Sequence, residues 1–208
     1  MNKMNQTRAF GNVLSAVVVI GISAGGPGTL MKVLPQLPAD LKAAVIVVQH
    51  MSPAFASTLA KRMEQVCAIP FKEAETGDVL TNGKGFIAPA GHQLLMSRFG
   101  RTLALSSGPA TRFMPCVNVT MESVLERFGG ERMVGVLMTG MGDDGADAMV
   151  KIRRAGGITI AEDKSTAVVF GMPQEAIRRG GAEIVAPAHN IAKEIVKAVG
   201  RIRFRQRC

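Results

Sequence analysis

The fold possibilities narrow first at Val17 to Gly28, V-V-V-I-G-I-S-A-G-G-P-G. Val17 to Ile20 is an unbroken β-branched run, which suits a strand covered on both faces, as in a parallel sheet. The run stops at Gly21, and after Ser23 and two glycines an amphipathic stretch from Thr29 to Leu37 reads as a helix. Gly21, Ser23 and Gly25 satisfy G-x-S-x-G, a strand-to-helix turn that lifts a serine hydroxyl out at the end of a sheet. The helix start behind the turn offers free backbone N–H groups able to hold an oxyanion. Two phosphate-binding patterns fail on single residues. Ser23 stands where a dinucleotide loop needs its second glycine, and Pro27 follows Gly26 where a phosphate loop needs lysine. Taken alone, the stretch also fits a serine that caps a helix.

The rest of the chain selects between these readings. Pro35, Pro38 and Asp40 punctuate the end of the first helix, and Ala43 to Val48, A-A-V-I-V-V, is a second buried strand that ends at Gln49 and His50. Strand, helix, strand implies a right-handed crossover and parallel pairing. The C-terminal ends of both strands then share one sheet edge, where open α/β sheets bind ligands. A third buried strand, Met133 to Met138, exits into Thr139-Gly140-Met141-Gly142-Asp143-Asp144-Gly145. Three strands therefore end in Ser23, His50 and an acidic pair. A serine needs a base within hydrogen-bond reach, imidazole titrates near neutrality, and a carboxylate behind it fixes the tautomer. The order Ser, His, Asp differs from that of α/β-hydrolases and argues for a separate fold. Singly, each residue has a plainer role. His50 fits a structural histidine, and Asp143-Asp144 fit a helix cap or, with His50, a divalent-metal site. His92 and His189 read as loop residues.

Pro53 opens a helix to about Val66. Residues 69–108 alternate in short pieces, Ile69–Glu73, Phe86–Ala88, Leu94–Ser97 and Thr102–Leu105, which read as strands and hairpins with a tip at Phe99-Gly100-Arg101. Gly108 to Phe113 is a basic loop, followed by a helix from about Pro115 to Phe128. Ala146 to about Ala155 is helical, Gly157–Ala161 a strand, and a short helix ends at Arg179. Glu183–Val185 is a last strand and Asn190–Val199 a closing helix. The prediction is one α/β domain over 13–200: three-layer αβα, doubly wound, mostly parallel, with an antiparallel hairpin region. A polar leader occupies 1–12 and a basic tail 201–208.

Composition bounds the partners. The net charge is +9, and Arg201, Arg203, Arg205 and Arg207 in the tail leave +5 for the rest. Trp and Tyr are absent, so large stacking platforms for bases are missing and no nucleic-acid partner is expected. The longest apolar runs are far shorter than a membrane span, and the N-terminus lacks the apolar core of a signal peptide. Three widely spaced cysteines, Cys67, Cys116 and Cys208, form neither a disulfide framework nor a zinc knuckle, which fits a reducing cytoplasm.

Six segments resemble the catalytic domain of the chemotaxis protein-glutamate methylesterases, the CheB type. They are V-I-G-I-S-A-G-G at 19–26, V-V-Q-H-M at 47–51, F-I-A-P-A-G at 86–91, G-V-L-M-T-G-M-G-D-D-G-A at 135–146, A-G-G-I-T-I-A-E-D at 155–163 and V-V-F-G-M-P-Q-E-A-I at 168–177. They run in family order across residues 14 to 199. The resemblance implies hydrolysis of γ-glutamyl methyl esters on the cytoplasmic helices of chemoreceptors, releasing methanol, and deamidation of selected receptor glutamines. By motif the nucleophile is Ser23, the base His50 and the carboxylate Asp144, with Asp143 at a variable position. The backbone N–H groups of Met141 and Ala24 line the oxyanion site. Ala24 stands where members often carry threonine, so a hydroxyl contribution is lost there. No metal or organic cofactor is implied. Arg112 and Phe113 of the basic loop are expected to face the receptor helices. The family's usual N-terminal receiver domain is not among these residues. The expectation is either an excised domain or a stand-alone esterase served by a separate receiver or signalling protein, and the short leader favours the second. A catalytically idle binding module of the same fold and a hydrolase of a different methyl ester are the alternatives.

Overall fold

The computed structural model describes residues 14–206; the leader 1–12 and the last two tail residues lie outside that range. Strand β1 (Ala16–Ile22) turns into α1 (Gly26–Val33), and β2 (Ala43–Gln49), α2 (Pro53–Val66), β3 (Phe71–Glu73) and β4 (Lys84–Ile87) follow. A hairpin, β5 (Gln93–Met96) and β6 (Leu103–Ser106), precedes α3 (Val117–Phe128) and β7 (Met133–Leu137). The chain continues through α4 (Ala146–Arg154), β8 (Ile158–Glu162), α5 (Met172–Arg178), β9 (Ile184–Ala186) and α6 (Ala188–Arg205).

Seven strands form one sheet in the order β3-β4-β2-β1-β7-β8-β9, and every pairing in it is parallel. The expected doubly wound αβα architecture is therefore present, and β5 pairs antiparallel with β6 outside the main sheet. From β1 the chain first builds outward through β2, then crosses back to place β7 on the other side of β1. That reversal at the sheet centre is the topological switch point, where a crevice opens at the carboxyl ends of the strands.

Burial explains the strand sequences. Alternate residues of β1 point to opposite faces: Val18 and Ile20 join the core beneath α1, α2 and α6, while Val17 and Val19 join the core with α3 and α4. A strand wetted on neither face needs apolar residues at every position, which is why β1, β2 and β7 read as continuous apolar runs.

Several boundaries differ from the sequence expectation. The first helix is α-helical only to Val33 and ends in a tighter turn, Leu34–Gln36, because Pro35 removes a backbone donor. β3 and β4 join the parallel sheet; only β5 and β6 form the predicted hairpin, with Gly100 at φ 72° in its tip. The closing helix starts at Ala188 and runs to Arg205, well beyond Val199. Its apolar face continues into the arginine-rich segment, where Ile202 is 1% exposed, Arg201 pairs with Glu183 and the Gln206 amide donates to the Ser15 carbonyl. No helix among the described residues is long and apolar enough to cross a membrane.

Candidate active site

The parallel register delivers two predicted residues together. It pairs Ile22 with Gln49, so Ser23 and His50 leave β1 and β2 side by side, and the His50 N–H donates to the Ile22 carbonyl at 3.1 Å. On the other side of β1, Gly21 pairs with Leu137. The loop after β7 therefore rises beside Ser23, whose N–H donates to the Thr139 carbonyl at 2.9 Å. The turn closes with Gly25 in the left-handed region, φ 80°, and the Gly26 N–H on the Ser23 carbonyl at 2.9 Å. A side chain at Gly26 would run into the Gln49 amide. That amide donates to the carbonyls of both Ser23 and His50, at 2.9 Å each, and locks the two strand ends together. Gln49 is 2% exposed and had no role in the sequence reading, although a polar residue closing an otherwise apolar strand is its signal.

His50 and Asp144 form the buried pair of the site. His50 Nε2 lies 2.8 Å from Asp144 Oδ2, with side-chain exposures of 7% and 6%. The carboxylate accepts three further hydrogen bonds: from the Val117 N–H at 2.7 Å, the Asn118 N–H at 2.9 Å and the Cys116 thiol at 3.1 Å. Asp144 thus sits on the N-terminus of α3 and satisfies helix donors that no side chain of α3 itself caps. Burial alone would raise its pKa, but the bonds from His50, Asn118, Val117 and Cys116 outweigh burial and hold the carboxyl below its ordinary value. Burial pushes the Cys116 thiol up to about 11, so it stays protonated and donates. An ionised carboxylate only accepts, so Nε2 carries the proton and Nδ1 presents its lone pair. Nδ1 is buried and makes no hydrogen bond. Cys116 and Asn118 carry no motif, and their part in the site emerges only from folding.

The acidic pair divides. Asp143 turns outward to Arg179 at 2.6 Å, together with Asp147 at 2.7 Å and Glu175 at 3.0 Å. That cluster ties the loop after β7 to α5, and Asp143 does not meet His50. Phe113 stacks on the other predicted residue: its ring lies 4.2 Å from the His50 ring at 12°, and the Arg112 guanidinium sits 5.3 Å from the Phe113 centroid. The basic loop therefore packs an aromatic ring on the imidazole. Neither the Ala24 nor the Met141 N–H is taken up by a hydrogen bond among the described residues. Both residues line, with Ser23, Arg112, Phe113 and Asp144, an open cleft of about 610 Å³. A second cleft of about 340 Å³ on the other side of Ser23 is lined by His50, Met51, Phe55 and Arg62. His92 and His189 are exposed and lie on neither cleft.

The family model described as CheB methylesterase matches residues 18–195. A protein-glutamate methylesterase/protein-glutamine glutaminase of Caldanaerobacter subterraneus subsp. tengcongensis is 50% identical over 188 residues, 88% of this chain and 51% of that protein. One of the same name from Symbiobacterium thermophilum is 48% identical over 199 residues, covering 95% of this chain and 54% of that protein. The chain thus spans about half the length of the curated relatives it matches. A solved Thermotoga maritima CheB methylesterase catalytic domain superposes with a TM-score of 0.84 at 36% identity, covering 89% of this chain and 99% of that one. Sequence, register and backbone shape converge, and the chain belongs to the CheB methylesterase family.

Proposed function

We propose that this chain is a methylesterase catalytic domain that hydrolyses γ-glutamyl methyl esters on the cytoplasmic helices of chemoreceptors, with glutamine deamidation as its second reaction. The relatives' names support both activities. One observation supports the chemistry: Asp144 pairs with His50 Nε2 and leaves Nδ1 without a hydrogen-bond partner, on the residue that leaves β2 beside Ser23.

In this reading Ser23 is the nucleophile, His50 the base and Asp144 the orienting carboxylate. As Ser23 Oγ attacks the ester carbonyl, its proton passes to His50 Nδ1, and Asp144 stabilises the imidazolium through Nε2–H. Proton-transfer bonds of this kind are often long without substrate and tighten when it binds. The free N–H groups of Ala24 and Met141 receive the oxyanion, so the alanine after Ser23 still contributes its backbone. His50 returns the proton to the departing methoxide and methanol leaves; water, deprotonated by the same nitrogen, then attacks the acyl-serine, and His50 passes that proton to Ser23 Oγ as glutamate is released. Arg112 at the cleft mouth attracts the acidic surroundings of the modified side chain, and the Phe113 ring fixes the imidazole plane. A cytoplasmic location belongs to the same proposal.

The test is methanol release from a methylated receptor fragment. Ser23→Ala is expected to abolish release and leave the unfolding midpoint unchanged. Release at the wild-type rate refutes the assignment of Ser23. Turnover of a small chromogenic ester without turnover of the receptor fragment would favour a different ester as substrate.

A further inference from the structure

The segment A-G-G-I-T-I-A-E-D carries a glutamate, Glu162, that the mechanism above does not use. Glu162 closes β8 at the same sheet edge as Ser23, and it is fully buried. A buried carboxyl persists only when donors are aimed at it. Its Oε2 accepts the Thr139 N–H at 2.8 Å, and its Oε1 accepts the Thr166 hydroxyl at 3.0 Å. Thr166 Oγ1 in turn accepts the Ala188 N–H at 2.8 Å, at the start of α6.

Thr139 is where this support meets the site. Its carbonyl accepts the Ser23 N–H at 2.9 Å, and its hydroxyl donates to the Ala24 carbonyl at 2.8 Å. The same hydroxyl accepts the Val169 N–H at 3.0 Å, which links the 168–172 segment to the edge. One residue later, the Gly140 backbone approaches Ser23 so closely that a Cβ there would lie 2.8 Å from the Ser23 Cβ. Met141 follows directly. A shift of Thr139 therefore moves the Ser23 backbone, the Ala24 peptide and the Met141 N–H together.

We infer that Glu162 is a positioning residue for this active site. By accepting the Thr139 N–H it sets the separation between the Ser23 turn and the Met141 loop, and hence the geometry of the oxyanion donors. The inference rests on Ser23 as nucleophile. What matters is an acceptor at the right reach, not the negative charge: a glutamine carbonyl can accept the Thr139 N–H, while its amide donates to Thr166 Oγ1. The Thr166 proton then turns to the Asp163 carbonyl, 3.5 Å away. An aspartate keeps the charge but withdraws the acceptor by one methylene.

The experiment compares Glu162→Gln and Glu162→Asp, with Thr159→Val as control. Thr159 lies on the same strand, is fully buried, and its hydroxyl accepts the Glu183 N–H at 2.9 Å, away from the site. Steady-state methanol release from methylated receptor fragment gives kcat and KM. Amide hydrogen exchange at Ser23 and Thr139, followed by NMR, reads the edge directly. Glu162→Asp is expected to lower kcat at least about tenfold with KM within about twofold, as loss of oxyanion-site geometry would. Its Ser23 and Thr139 amides should exchange at least about tenfold faster. Glu162→Gln should stay within about threefold of wild type in kcat, and Thr159→Val should match wild type in both measurements. The inference is overturned if Glu162→Asp keeps the wild-type kcat and exchange rates. It is equally overturned if glutamine is as damaging as aspartate, or if Thr159→Val loses as much kcat. Should wild type release no methanol, the methylesterase reading fails, and the two exchange rates still decide whether Glu162 holds the edge.

Discussion

Replacing Asp144 by asparagine removes one acceptor while keeping size and shape, and the four donors around it make the outcome calculable. Oδ2 faces two N–H groups, from His50 at 2.8 Å and Val117 at 2.7 Å, whereas Oδ1 faces the Asn118 N–H at 2.9 Å and a thiol that can rotate away. The amide oxygen therefore takes the Oδ2 position, and the NH₂ group confronts the Asn118 N–H. One buried donor left unpaired costs about 1–3 kcal/mol. Removing the anion from the α3 N-terminus costs about 1 kcal/mol more. The sum, about 2–4 kcal/mol, lowers the unfolding midpoint by roughly 4–16 °C in a domain of this size. The bond to His50 also loses its charge assistance, about 1–1.5 kcal/mol beyond a neutral bond, which corresponds to a drop in kcat of roughly 5- to 13-fold with KM nearly unchanged. Because the native pKa of Asp144 is depressed, its stabilisation is present above the ordinary carboxylate value. It fades as pH falls below about 4 through the native pKa. Asparagine should remove this acid-sensitive share. Thermal unfolding by circular dichroism at several pH values, alongside methanol release, measures all three effects. A variant with wild-type kcat and an unmoved midpoint would refute the claim that Asp144 both orients His50 and caps α3.

Phe113→Ala strips the ring stacked on His50, a contact worth about 0.5–1.5 kcal/mol, and is expected to lower kcat roughly two- to tenfold in the methanol assay. An unaffected kcat would mean that the imidazole needs no such wall. Arg112→Ala removes an exposed cation at the cleft mouth and is expected to raise KM for receptor fragment about threefold at low salt, with the difference vanishing at high salt. An unchanged KM at low salt counts against a receptor-facing role for Arg112.

Much of the fold was legible because its signals are local. Continuous β-branched runs mark strands buried on both faces, and the glycines around Ser23 mark a turn that tolerates neither side chains nor ordinary backbone angles. Strand-helix-strand succession with right-handed crossovers then puts the ends of β1, β2 and β7 on one edge. The ends of elements were less legible where tertiary contacts override propensity. The arginine-rich stretch after Val199 reads as a solvated tail, yet its buried face at Ile202 carries the helix to Arg205.

The amino-acid order by itself determined the sheet type, the turn that exposes Ser23 and the residue types gathered at its edge, since each depends on neighbours within a few positions. The motif likeness already singled out Asp144 over Asp143; only the tertiary structure brought its carboxylate to His50 across 94 residues of chain and onto the N-terminus of α3. It alone gave Gln49, Cys116 and Glu162 their parts and stacked the Phe113 ring on His50. Hydrogen-bond donors and acceptors of distant elements find each other through packing, and no short-range spacing records which of them will be left facing one another when the core closes.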